Sequence, residues 1–167
     1  MDIIEKFANE LRSTLDERRI ARQKSQVDQE ANENSAENVL EQFWKDSDKL
    51  ISSIVFPSLE RAKKKLQFDS CSCSVRQEGE WRIREVIATF AIQEGCVDTE
   101  AQFEVGPCAK NRTIKISGRA YSIAPDVDWT KEFFEKELVV KDVSPQIIEE
   151  LFESTLRTYL AECLEQI

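Results

Sequence analysis

The sequence predicts an α+β domain. Its elements are two N-terminal helices (the second kinked or broken at Pro57), a four-stranded antiparallel meander, and one short and one long C-terminal helix. Three observations carry this expectation. Apolar residues recur at three- and four-residue steps over the first third of the chain, the period drops to two near Phe68, and helical spacing returns after Pro125.

Ile4, Phe7, Leu11 and Leu15 form one narrow stripe, close to a short coiled-coil seam. From Asp16 to Asn34 the chain is polar, without Gly or Pro, and only Ile20, Val27 and Ala31 interrupt it. Residues 1–33 therefore read as an amphipathic helix followed by a polar helical arm or linker, and residues 34–167 as a single α+β domain. The second helix is expected to start at Asn34, with Glu37 three residues later completing a capping box. Its stripe runs through Leu40, Phe43/Trp44, Leu50/Ile51 and Ile54/Val55. Pro57 cannot donate to the helical ladder, so a stop or kink is expected near Phe56.

Cys71, Cys73 and Val75 alternate with serines, which makes a half-buried strand. Gln77-Glu78-Gly79 and Gln93-Glu94-Gly95 read as turns on either side of a strand from Trp81 to Ile92. Ala101, Phe103 and Val105 alternate in a third strand that Gly106-Pro107 is expected to break. The fourth runs from about Arg112 to Ile123. Apolar parity changes within the second and fourth strands. Either β-bulges or strands apolar on both faces would produce that. After Pro125, Asp128 or Thr130 is placed to cap a short helix holding Phe133 and Phe134, and Val139-Val140 reads as a short extended piece. Ser144-Pro145 is a capping Ser with Pro at the first helical position, and opens the last helix.

A chain of 167 residues can bury a real core without staples. The net charge of −9 is uneven: −2 over residues 1–33, zero over 34–125 and −7 over 126–167. An acidic surface repels phosphates and anionic membranes and favours a basic protein partner. The longest apolar run, Leu50 to Phe56, is broken by Ser52 and Ser53, too short to span a bilayer. The opening Met-Asp-Ile-Ile-Glu has neither a basic region nor an apolar signal core, so a cytoplasmic location is expected.

No histidine is present, which removes Ser-His-Asp and Cys-His systems and His-based metal sites. The four glycines are isolated, so neither a P-loop nor a dinucleotide fingerprint exists. Cys71, Cys73, Cys96, Cys108 and Cys163 read as structural thiols, because Cys-x-Cys on a strand chelates less readily than a Cys-x-x-Cys turn. Asp126-Val127-Asp128 reads as helix capping before it reads as a cation loop. The Arg61–Lys65 cluster lacks interleaved aromatics and reads as a solvated helix face. No catalytic, cofactor-binding or metal-ligating residue is assigned, and no cofactor is expected.

The leading expectation is a non-enzymatic protein-interaction module, adaptor or chaperone-like. It would bind a protein partner, or itself as a homodimer, through Ile4, Phe7, Leu11 and Leu15. The alternative is a small hydrophobic ligand held between sheet and helix by Trp81, Phe90, Phe103 and Tyr121. A carboxylate or cysteine enzyme without histidine is the third possibility.

Overall fold

The structure, a computed structural model, describes residues 3–67, 70–92, 99–124 and 129–164, with side chains from Ser13 to Glu162 within those spans. The turn expected at Gln93-Glu94-Gly95 and the capping aspartates Asp126 and Asp128 lie outside the described residues. The chain divides into two compact units, Met1–Glu41 and Gln42–Ile167.

The two N-terminal helices expected from the sequence are one continuous helical run. Helix α1 (Ile3–Leu50) passes through Asn34 without interruption. A mid-helix Asn costs roughly 0.7 kcal/mol against Ala, less than breaking and re-nucleating a helix. The capping box at Asn34 and Glu37 is therefore not used.

Pro57 does not end the helix either. A π-helical turn (Ile51–Val55) leads into α2 (Phe56–Leu66), with Pro57 in its first turn. A proline ring clashes with the carbonyl four residues before it. The wider turn accommodates it, and the Phe56 N–H donates to the Ile51 carbonyl, five residues back. Ser52 and Ser53 donate their hydroxyls to the Asp48 and Lys49 carbonyls at 2.8 and 2.5 Å, satisfying oxygens at the irregular turn.

The sheet has five strands, not the four expected: β1 (Cys71–Glu78), β2 (Glu85–Ile92), β3 (Thr99–Cys108), β4 (Thr113–Ser122) and β5 (Thr130–Leu138). They pair antiparallel in chain order, β1-β2-β3-β4-β5. The segment expected as a short helix around Phe133 and Phe134 is β5. Its Lys, Glu and Leu content favours a helix locally, but that preference is at most about a few tenths of a kcal/mol per residue, and pairing the segment along the edge of β4 overrides it. Gly118 pairs with Phe134 and Arg119 with Glu132, so Phe133 is the extra residue of a bulge. That bulge explains why two consecutive phenylalanines are both half-buried in a strand.

The parity changes expected to mark bulges in the second and fourth strands have other causes. Trp81 and Ile83 precede β2 and lie in the β1–β2 connection, where the Ile83 N–H bonds the Glu80 carbonyl at 2.9 Å. Tyr121 simply faces the other side of β4. β3 also runs through Gly106-Pro107 where a break was expected. Pro107 pairs with Ile114 on β4, beyond the first residue of β2, so its missing N–H leaves no ladder bond on that side.

One face of the sheet carries the core. In register across all strands lie Val75, Ala88, Phe103, Gly118 and Phe134, and beside them Cys73, Phe90, Ala101 and Ala120. Ile51, Val55 and Leu59 from the π turn and α2 pack there, as do Ile148, Phe152 and Tyr159 of α3 (Pro145–Leu164). α3 opens as its sequence implies. Ser144 Oγ accepts the Ile147 N–H at 3.3 Å and Pro145 is the first helical residue. At Gly118 the sheet comes close against α3. A methyl group there would lie 2.5 Å from Thr155 Oγ1 and 2.8 Å from Phe134 Cε1.

Candidate functional site

The second face of the sheet is polar. Across it run Ser74, Thr89, Gln102, Arg119 and Glu132 in one row, and Arg76, Ile87, Glu104, Ser117 and Glu135 in the next. Strand alternation dictates this arrangement, because the opposite positions of each strand are taken by the core. Glu85, Glu104, Lys115, Arg119 and Glu135 rim a shallow depression of about 430 Å³. Its groups largely satisfy one another. Arg119 Nη2 lies 3.3 Å from Glu104, Lys115 Nζ 2.8 Å from Glu135, and the Arg119 Nε–H donates to Gln102 at 3.4 Å. Ser74 and Thr89 hydroxyls are 2.6 Å apart, and Tyr121 donates to Glu100 at 2.6 Å.

The perturbed groups of this face have identifiable causes. Partial burial, then the charge of Glu104 and a hydrogen bond with it, then the charge of Glu78, raise the Glu85 carboxyl above 4.5. Burial and the bond to Glu100 push the Tyr121 hydroxyl up to about 12. A carboxyl pair sharing a proton can act as an acid or base. This one is shallow and open, and no group of three or more Cys, Asp or Glu among the described residues could hold a metal ion.

Trp81, Phe90, Phe103 and Tyr121 do not converge on a pocket. Phe90 and Phe103 are buried on the core face. There Phe90 meets Tyr159 edge-on at 6.0 Å, and Phe103 packs on Phe152 at 5.4 Å and Phe134 at 6.4 Å. Tyr121 lies on the opposite face, and Trp81 sits in a connection, 40% exposed, with the Arg82 guanidinium 4.9 Å from its ring centroid. The cysteines do not converge either. Cys71 and Cys73 lie across from the Ala101 end of β3, whereas Cys108 closes its other end. Cys73 is buried, and desolvation pushes its thiol up to about 11. Cys96 and the Cys163 side chain lie outside the described residues.

The expected partner-binding residues fall on α1. The side chains of Ile4, Phe7 and Leu11 lie outside the described residues, and Leu15 is 56% exposed. Every residue from Ser13 to Gln42 is exposed, and burial begins at Phe43. Sequence reasoning did not extend this surface as far as Leu40, at 36% exposure, because Asn34 was read as a helix start. The absence of Gly and Pro up to Pro57 was the signal that could have found it.

An apolar notch lies in the second unit between Leu50, Ser53 and Ile54 on one side and Val139 and Val140 on the other. No helix of the described residues is long and apolar enough to cross a membrane. No family model matches the chain, and no curated protein or solved structure matches it.

Proposed function

We propose that this protein is a non-enzymatic interaction module, adaptor or chaperone-like, that engages a protein partner or a second copy of itself through α1. Its working location in this reading is the cytoplasm. Residues 1–33 serve as the associating arm and 34–167 as a single domain that carries it. Nucleic acid and membrane are poor partners for a chain of net charge −9.

The observation behind the reading is the uninterrupted exposure of Ser13–Gln42. Like charges stand one turn apart at Arg18/Arg22 and at Glu33/Glu37, which weakens a solitary helix by a few tenths of a kcal/mol per pair. Helical stability in proteins comes mainly from packing an amphipathic face, and this stretch packs none of its described side chains. A helix of this kind gains its order from association.

Hydrogen exchange on the full chain tests this. In dilute solution the amides of residues 13–42 should exchange fast. Protection should appear when protein concentration rises or a partner is added. Strong protection in a dilute monomer would overturn the reading, and so would no gain in protection under any condition.

A further inference from the structure

The exposed stretch of α1 carries a regular seam. Leu15, Arg19, Arg22, Gln26, Gln29, Glu33, Ala36 and Leu40 follow one another at alternating steps of four and three residues. That spacing puts them on one helix face. Leu15, Arg19, Arg22 and Gln26 line one continuous shallow strip together with Arg18. The same steps continue to Phe43, Ser47 and Leu50, which are buried at 7%, 1% and 6% exposure. Ile20 and Val27 fall on the opposite side and remain singly exposed apolar residues.

Charge is sorted along this helix. Arg18, Arg19, Arg22 and Lys24 follow one another without an intervening acid, while Asp28, Glu30, Glu33, Glu37 and Glu41 follow without a base. Among the described residues, none of Arg18, Arg19, Arg22, Glu33 and Glu37 takes part in an ion pair. Given α1 as the association element, we propose that its partner is a second copy of the same helix, laid antiparallel, with the two-fold axis between Val27 and Asp28.

In that register Leu15 meets Leu40 of the second copy, Arg22 meets Glu33, Arg19 meets Ala36 with Glu37 beside it, and Gln26 meets Gln29. The reciprocal contacts follow by symmetry, as a two-fold interface requires. Residues 15–40 of each copy overlap over about 39 Å. A parallel arrangement would instead set Arg19 and Arg22 against themselves and Glu33 against itself, which like-charge repulsion disfavours. Apolar layers close the seam at both ends, and the central glutamine layers fix the register at the expense of affinity. The dimer is accordingly held in large part by exposed charge, so it weakens as salt rises.

Sedimentation velocity on the full chain tests orientation and register together. The wild type should dimerise reversibly and dissociate with added salt. R19E/R22E should weaken dimerisation about tenfold or more, through repulsion from Glu33 and Glu37. R19E/R22E/E33R/E37R restores opposite charges only in the antiparallel register and should regain wild-type dimerisation. Circular dichroism of each variant confirms that helix content is retained. A wild-type dimer indifferent to R19E/R22E, or a four-site variant that stays as weak as R19E/R22E, overturns this pairing while leaving α1 available to another protein. A wild type that stays monomeric also overturns it. The hydrogen-exchange experiment then decides separately whether α1 engages a partner at all.

Discussion

Replacing Gly118 by Ala probes a close contact between α3 and the sheet. The added methyl would lie 2.5 Å from Thr155 Oγ1, 2.8 Å from Phe134 Cε1 and 3.2 Å from Thr155 Cγ2. Neither neighbour is a flexible side-chain end. Thr155 is buried and its hydroxyl is engaged with the Leu151 carbonyl at 2.9 Å, while Phe134 is braced by Phe103. Gly118 itself sits mid-strand at the bulge, paired to Phe103 on one side and Phe134 on the other. The backbone must therefore shift, and overpacking of this kind costs about 1–3 kcal/mol. With a urea slope of roughly 1–3 kcal/mol/M, the unfolding midpoint should fall by about 1 M. Tryptophan fluorescence in urea provides the readout. T155A alone removes a buried hydroxyl and methyl, yet in the G118A background it should recover part of the loss, so the two changes are non-additive. An unchanged or raised midpoint for G118A would refute the packing argument, as would strict additivity with T155A.

Glu85 gives a pH signature. Its folded carboxyl is raised above 4.5, so between that value and its folded one the folded state binds the extra proton and stability falls as pH rises. E85Q removes this penalty. Its advantage in Tm over wild type should be largest at neutral pH and shrink towards pH 4.5, and a difference independent of pH would contradict it. Cys73, buried with its thiol pushed up to about 11, should alkylate more slowly at pH 8 than half-exposed Cys108, as read by mass spectrometry; the reverse order would place Cys73 wrongly. Leu59→Ala should cost about 2–5 kcal/mol, since Leu59 is fully buried, whereas Leu15→Ala should leave urea unfolding of the sheet unchanged; equal losses would contradict the exposure of α1.

The legible parts of the fold are those where one local signal dominates. β3 and β4 alternate because one face meets the helices, and the Ser144-Pro145 pair marks α3 through its own cap chemistry. Elsewhere the outcome is decided by remote parts of the chain. β5 is a strand because β4 offers it an edge, and its bulge at Phe133 erases the alternation that would have betrayed it. Pro57 stays within the helical run because a π turn, invisible to periodicity, absorbs its ring. The four aromatic residues expected around a ligand were grouped by hydrophobicity alone. Strand register then sends Phe90 and Phe103 to one face and Tyr121 to the other, while Trp81 falls outside any strand. In α1 the charges on the seam masked its regularity, because arginine and glutamate occupy positions where an apolar stripe is usually sought.

The sedimentation behaviour of the wild-type chain in low and high salt bears most directly on α1 as a self-pairing helix. A reversible species of twice the 19.3 kDa chain mass is expected at low salt, reverting to monomer as salt is added. A monomer at every concentration in low salt, or a dimer that salt leaves intact, would contradict it.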